Sequence, residues 1–258
     1  MITAGIDMGA KYVKVLLFSN GTVLARVQEL AGFEPVAAGR RAFEKALEGA
    51  GVNADQVDAV CATGAGRKVA PHATDSVTEV GAAARGATYL YPDVRTVIDV
   101  GAEEGRAVKC NDAGKVQDFA VNEKCAAGAG SFTEAMARAL EVPLEEFGQL
   151  SLQSTRTIPM NAQCAVFAES EVVSLVHAKT PTADIARAVH DAIASRIVSM
   201  IRRVGINDDV ALIGGIAYNP GFVDALGRGL ETKVFVPEDP EYVGALGAAI
   251  TAGERSAS

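Results

Sequence analysis

Apolar positions along this chain keep two rhythms, short extended runs near two glycine turns and longer stretches that recur every three to four residues. The N-terminal run 1–7 leads directly into a strand, a second extended run covers 13–18, and a third covers 22–27. Asn20-Gly21 between the last two is a hairpin signal, because both residues tolerate the positive φ that tight hairpins need. A helix is expected at 35–50, a strand at 57–63 and a helix at 77–90. Beyond residue 130 the pattern predicts helices at 131–141, 162–178 and 182–204, a strand at 210–213, a helix at 221–230, a strand at 233–236 and a helix at 241–252. In the longest helix Ile185, Val189, Ile193, Ile197, Ile201 and Val204 form one buried stripe, and Gly205 stops it. Ser131 and Glu134 have the spacing of a capping box, which fixes a helix start there.

The opening pattern occurs twice. Ile6-Asp7-Met8-Gly9-Ala10 followed by 13–18 returns as Ile98-Asp99-Val100-Gly101-Ala102 followed by 106–110, at a constant offset (98 − 6 = 92). Asp7 aligns with Asp99, Gly9 with Gly101 and Lys14 with Arg106. Each copy continues through a turn signal, Ser19-Asn20-Gly21 or Asn111-Asp112-Ala113-Gly114, into a third extended run. Each half therefore begins as a three-stranded antiparallel meander and continues with alternating helices and strands. The halves are expected at 1–95 and 96–240, with helix 241–252 packing back on the first. This is an α/β architecture with a cleft between two similar domains.

Composition narrows the partners. A chain of 258 residues with 49% apolar content buries a substantial core. A net charge of −8 argues against non-specific binding to nucleic acid or an anionic membrane. The absence of Trp disfavours recognition of single strands by stacking. No apolar run reaches the length of a membrane span, and residues 1–7 carry no signal-peptide pattern. The four scattered cysteines make no disulfide framework, so the expected location is the reducing cytoplasm.

The candidate chemistry sits at turns and helix starts. A strand ending in Asp-x-Gly brings backbone N–H groups close to a phosphate, while the aspartate holds Mg²⁺ through oxygen or water. Gly214-Gly215 after a strand suits close approach of a flat adenosine. Cys125 lies in the small-residue loop Lys124-Cys125-Ala126-Ala127-Gly128-Ala129-Gly130, and Cys164 opens Cys164-Ala165-Val166-Phe167-Ala168-Glu169. Thiolates near helix N-termini are stabilised by unpaired N–H groups, and such positions suit an iron–sulfur cluster. Two such cysteines cannot hold a four-cysteine cluster; a second subunit would supply the other pair. As bland alternatives, Cys125 can be a packing residue, Cys61 and Cys110 read as core, and His72, His177 and His190 lack metal-ligand spacing.

With these motifs the chain resembles the actin, heat-shock ATPase and sugar-kinase superfamily, and within it the BadF/BadG/BcrA/BcrD ATPase family. That family includes the 2-hydroxyacyl-CoA dehydratase activators and the ATPase subunits of ATP-dependent benzoyl-CoA reductases. The resemblance implies two RNase H-like domains around a nucleotide cleft. It also implies ATP/ADP and Mg²⁺ bound through Asp7 and Asp99 as catalytic carboxylates. Gly9, Ala10, Lys11, Lys14, Gly101, Ala102, Glu103, Gly128, Gly130, Gly214, Gly215 and Asn219 would line the nucleotide. Cys125 and Cys164 would share one [4Fe–4S] cluster with a homologous ATPase subunit, a heterodimer being favoured and a homodimer possible. ATP turnover would drive low-potential electrons, received from a donor such as reduced ferredoxin, to larger CoA-thioester-binding reductase or dehydratase subunits.

Departures from the pattern refine this. Activators read Asp-x-Gly-Gly-Gln-Asp at the second turn, whereas this chain has Asp99-Val100-Gly101-Ala102-Glu103-Glu104, and Ala10 and Lys11 replace hydroxyl side chains after the first. The segments 84–87, Tyr91-Pro92 and 105–107 resemble more closely the delta-type ATPase subunit of benzoyl-CoA reductase. A small-metabolite kinase of the same fold and a non-hydrolysing structural subunit are the other readings.

Overall fold

The computed structural model describes residues 1–122, 130–160, 165–206 and 209–257. Two five-stranded sheets organise the chain, and they share one topology. The first contains β1 (Ile2–Met8), β2 (Tyr12–Ser19), β3 (Thr22–Leu30), β4 (Ala59–Thr63) and β5 (Asp75–Ser76), in the order β3-β2-β1-β4-β5. The second contains β6 (Thr96–Val100), β7 (Gly105–Cys110), β8 (Val116–Asn122), β9 (Val210–Ile213) and β10 (Val234–Phe235), in the order β10-β9-β6-β7-β8. Read from its other edge, the second sheet repeats the first strand for strand. β1 pairs antiparallel with β2 and parallel with β4; β6 does the same with β7 and β9. The duplication seen in the opening motif thus extends through the whole sheet.

The chain divides into two compact units, one comprising Met1–Arg95, Cys110–Gln117 and Glu241–Ser258, the other Thr96–Lys109 and Asp118–Pro240. In the first unit Asn20 and Gly21 both take positive φ, which joins β2 to β3 by a tight turn whose twist matches the strands. Alternation along β2 then sorts its residues. Val13, Val15 and Leu17 pack with Ile6 under α1 (Pro35–Ala50), whereas Leu16 and Phe18 pack on α8 (Val243–Ser256). Because β1 is covered on both faces, its burial does not alternate. Helix α2 (Glu79–Leu90) is started by Thr78, whose hydroxyl accepts a hydrogen bond from the Gly81 N–H. Glycines let α8 approach closely: a Cβ on Gly5 would lie 1.8 Å from Ala245 O, and one on Gly247 1.9 Å from Ala82 O.

The second unit carries α3 (Gly130–Ala139), α4 (Leu144–Ser151), α5 (Ala165–His177), α6 (Thr182–Val204) and α7 (Pro220–Leu230). Ile98, Leu212, Phe132, Phe147, Phe222 and the α6 stripe from Ile185 to Ile201 form its core. Gly205 takes φ +84° and ends α6 as the sequence predicts. Two expectations change. Helix α4 has no counterpart in the sequence-based assignment; its two turns bury Phe147 and leave most other positions to solvent. Ser131 does not cap α3, because the helix begins at Gly130 and the Ser131 hydroxyl donates to Ala102 O at 2.6 Å. The first residues of the helix expected at 162–178 lie outside the described residues, and α5 begins at Ala165. No helix among the described residues is long and apolar enough to cross a membrane.

Candidate functional site

Each sheet presents one Asp-x-Gly turn at the end of its central strand. The antiparallel register sets Asp7 opposite Lys14 and Asp99 opposite Arg106, so the spacing of seven residues becomes a direct contact. Lys14 Nζ donates to Asp7 Oδ2 at 2.9 Å, and Arg106 donates to Asp99 Oδ2 at 3.2 Å. All four side chains are largely buried, so solvent screens these pairs less than it would a surface pair. Arg106 is also held by Glu104, which makes the second pair a triad. Between carboxylate and cation, the chain must reverse within a few residues. At Gly9 a Cβ would lie 2.8 Å from Tyr12 O, so a side chain there would block the turn. Ala10 is exposed and Lys11 half-buried, its ammonium 5.6 Å from the Tyr12 ring centre. In the second turn the Gly101 N–H donates to Glu104 O at 2.9 Å, Ala102 is half-buried and Glu103 is exposed.

Sequence reasoning missed Gly64. In the parallel pairing Asp7 stands opposite Thr63, and Gly64 follows with φ +91°; Asp99 stands opposite Ile213, and Gly214 follows with φ +88°. A Cβ on Gly64 would lie 2.6 Å from both Asp7 Oδ1 and Met8 O, and one on Gly214 2.3 Å from Val100 O and 3.0 Å from Asp99 Oδ1. The two glycines are thus equivalent parts of the two Asp-x-Gly turns, each seating the end of the central strand and its carboxylate. A strand followed at once by glycine, as in Ile213-Gly214, is the signal that could have found the Thr63-Gly64 pair.

Other expected site residues take definite places. Gly215 is exposed, and a Cβ there would meet nothing within 4 Å, which leaves its backbone open to a ligand. The Asn219 side chain caps α7 by accepting from the Phe222 N–H at 3.1 Å. The Gly130 N–H donates to Gly101 O at 2.8 Å and the Ser131 N–H to Ala102 O at 3.0 Å. The start of α3 is therefore bonded directly to the second Asp-x-Gly turn.

Cys125, Cys164 and Gly128 lie outside the described residues. Cys61 and Cys110 are fully buried. Burial, with a smaller contribution from Asp75, pushes the Cys61 thiol up to about 11; burial likewise raises Cys110. Neutral thiols sealed in sheets are poor metal ligands. Cys61 and Cys110 are therefore unsuited to hold a cluster, and the two cysteines expected as its ligands lie outside the described residues. Among the described residues no three His, Cys, Asp or Glu side chains gather to hold an ion. A Mg²⁺ ion bound chiefly through water and phosphate oxygens needs no such cluster.

The BadF/BadG/BcrA/BcrD ATPase family profile matches residues 4–252. The chain is 37% identical to the activator of lactoyl-CoA dehydratase of Anaerotignum propionicum, over 98% of both chains. It is 35% identical to a benzoyl-CoA reductase subunit of Thauera aromatica, over 96% of this chain and 92% of the relative. Among solved structures, component A of the Acidaminococcus fermentans (R)-2-hydroxyglutaryl-CoA dehydratase superposes with a TM-score of 0.95 at 34% identity, covering 100% of each chain. The activator of 2-hydroxyisocaproyl-CoA dehydratase from Clostridium difficile, solved with bound ADPNP, gives 0.93 at 33% identity, covering 100% of this chain and 96% of that one. A ROK family glucokinase from Streptomyces griseus gives 0.60 at 15% identity, covering 98% of this chain and 100% of that one, a likeness of fold alone. The fold is that of the actin-like ATPases and sugar kinases.

Proposed function

Because this chain belongs to the BadF/BadG/BcrA/BcrD ATPase family, we propose that it is the ATP-driven electron-transfer subunit of a CoA-thioester reductase of the benzoyl-CoA reductase type. The observation that carries the nucleotide part is the repeated geometry of Asp7–Lys14 and Asp99–Arg106 at glycine turns. Each turn offers a carboxylate for a hydrated Mg²⁺ and a cation for phosphate oxygens. Asp7 and Asp99 orient water and metal for hydrolysis of ATP to ADP and phosphate. Lys11, Lys14 and the backbone at Gly9, Ala10, Gly101, Ala102 and Gly130 meet the phosphates, and Gly214 and Gly215 meet the adenosine.

Cys125 and Cys164 would hold a [4Fe–4S] cluster, with a homologous ATPase subunit supplying the remaining ligands. That cluster supplies one-electron, low-potential chemistry when bound. Helix α5 (Ala165–His177) follows Cys164 in the chain and exposes Val166, Phe167, Val173 and Val176, an apolar surface suited to a neighbouring subunit. The bonds from α3 to Gly101 and Ala102 give the second turn a direct hold on the helix that follows the Cys125 segment. The donor would be a reduced ferredoxin, and the acceptor a larger subunit that binds the CoA thioester.

Activation of a 2-hydroxyacyl-CoA dehydratase is the second reading, favoured by similarity to dehydratase activators at 33–37% identity. Anoxic purification with the neighbouring subunits tests both. One cluster for each pair of ATPase chains is expected, lost in Cys125→Ser and Cys164→Ser and kept in Cys61→Ala. ATP hydrolysis should fall in Asp7→Asn and Asp99→Asn. An iron-free complex would refute electron transfer, and unchanged hydrolysis in both aspartate variants would refute the nucleotide assignment. Consumption of an aromatic or of a 2-hydroxyacyl CoA thioester then separates the two readings.

A further inference from the structure

Thr63 ends β4 directly opposite Asp7 on the neighbouring parallel strand. Residues in register on adjacent strands project to the same face. The geometry agrees, since a Cβ on Gly244 would lie 3.9 Å from Asp7 Oδ2 and 4.0 Å from Thr63 Cγ2. Thr63 is 1% exposed, and its hydroxyl has no hydrogen-bond partner among the described residues. A buried, unpaired hydroxyl is destabilising, because it has lost water and gained nothing. The second sheet provides an internal control. Ile213 occupies the same register opposite Asp99 and is followed by Gly214, as Thr63 is followed by Gly64. The fold therefore accepts a wholly apolar β-branched residue at this place, and the Thr63 hydroxyl answers to something other than folding.

We propose that Thr63 is a positioning residue for the hydrated divalent cation of the bound nucleotide, its hydroxyl and the Asp7 carboxylate together holding one water of the cation's shell. Lys14 occupies Asp7 Oδ2, Gly64 closes against Oδ1, where a Cβ would lie 2.6 Å away, and the Gly244 side, where a Cβ would lie 3.9 Å from Oδ2, is less tightly packed. Magnesium keeps several waters and takes few carboxylates, so a hydroxyl that orders a bound water contributes without being a ligand. Ile213 can make no such bond, so the two turns are unequal in this respect.

The proposal rests on the nucleotide reading above, and its test separates the two. Thermal unfolding of the wild-type chain, Thr63→Val and Thr63→Ser is followed while Mg²⁺ is titrated at fixed ADPNP. Without nucleotide, Thr63→Val should melt at or above the wild-type temperature, because an unpaired hydroxyl has been replaced by a methyl of similar shape. With nucleotide it should need about tenfold more Mg²⁺ for half-maximal stabilisation, the loss of one bridging water contact. Thr63→Ser, which keeps the hydroxyl, should titrate near wild type. A wild-type Mg²⁺ midpoint in Thr63→Val overturns the proposal. So does a lower melting temperature of that variant without nucleotide, since the hydroxyl would then be bonded within the fold. A wild-type chain that shows no nucleotide-dependent shift overturns the nucleotide reading itself.

Discussion

Replacing Gly214 by alanine should damage fold and ligand binding together, and replacing its neighbour Gly215 should separate them. Gly214 has φ +88° and ψ 168°, a region of backbone space that is essentially open to glycine only. Holding an alanine there costs about 1–3 kcal/mol. The added methyl would also sit 2.3 Å from Val100 O, a backbone atom that cannot rotate away. Relieving that overlap by moving the end of β6 costs about another 1–3 kcal/mol. The combined loss is about 2–6 kcal/mol, and it displaces Asp99, whose Oδ1 lies 3.0 Å from the same methyl position. At Gly215 the methyl meets nothing, so stability should stay within about 0.5 kcal/mol of wild type. Urea unfolding followed by far-ultraviolet circular dichroism measures both variants. With a slope of about 2 kcal/mol/M, Gly214→Ala should lower the midpoint of the affected transition by about 1–3 M. Fluorescent-nucleotide binding should weaken in both, in Gly215→Ala without any shift of the midpoint. A Gly214→Ala chain with a wild-type midpoint would show that the strain argument is wrong. Unweakened binding in Gly215→Ala would show that no ligand approaches that backbone.

Alkaline pH should destabilise the fold through Cys61. Its folded pKa is raised from 9.0 to about 11, so the buried neutral thiol contributes stability that is complete below pH 9 and is lost as pH rises towards 11. Wild type should therefore lose on the order of 2–3 kcal/mol relative to Cys61→Ala between those values, read from paired urea curves; parallel pH profiles would rule this out. Ser154→Ala should cost about 1–3 kcal/mol, because the hydroxyl donates at 2.7 Å to the buried Asp184 carboxylate, which would lose that donor. Asp184→Asn in the same background should then restore little, and an undiminished urea midpoint for Ser154→Ala would refute the claim.

What the sequence made legible was local or repeated. The Asn20-Gly21 turn depends on two adjacent residues, and the α6 stripe on a period kept for six turns. The ion pairs Asp7–Lys14 and Asp99–Arg106 were within reach because a tight hairpin turns a fixed spacing into a register. Helix α4 escaped because two turns with one large buried residue make too short a period to detect. Ser131 misled because the capping pattern is a contest among neighbours, while the acceptor that won, Ala102 O, is 29 residues away in the chain. Gly64 escaped for a similar reason. Its role exists only once β4 lies beside β1, and nothing local marks which strand a glycine will have to accommodate.

The duplication separates what the backbone demands from what the chemistry demands. Both halves have the aspartate, the glycine two residues on, the cation opposite and the positive-φ glycine on the parallel strand. Gly9, Gly64 and Gly214 are demanded by the backbone, since a Cβ at each would lie within 3 Å of a backbone oxygen, whereas a Cβ on Gly101 would lie 3.7 Å from Glu104 O. The halves differ where geometry is indifferent. Lys11 aligns with Glu103, a reversal of charge; Tyr12 aligns with Glu104, which binds Arg106; and Thr63 faces Asp7 where Ile213 faces Asp99. One turn thus sets two lysines against one aspartate, and the other sets three carboxylates against one arginine. A polyphosphate is attracted to the first turn directly but to the second only when cations offset its carboxylates. Substitutions at the positive-φ glycines Gly64 and Gly214 should change stability and binding together, whereas Lys11→Ala and Glu103→Ala should change binding alone.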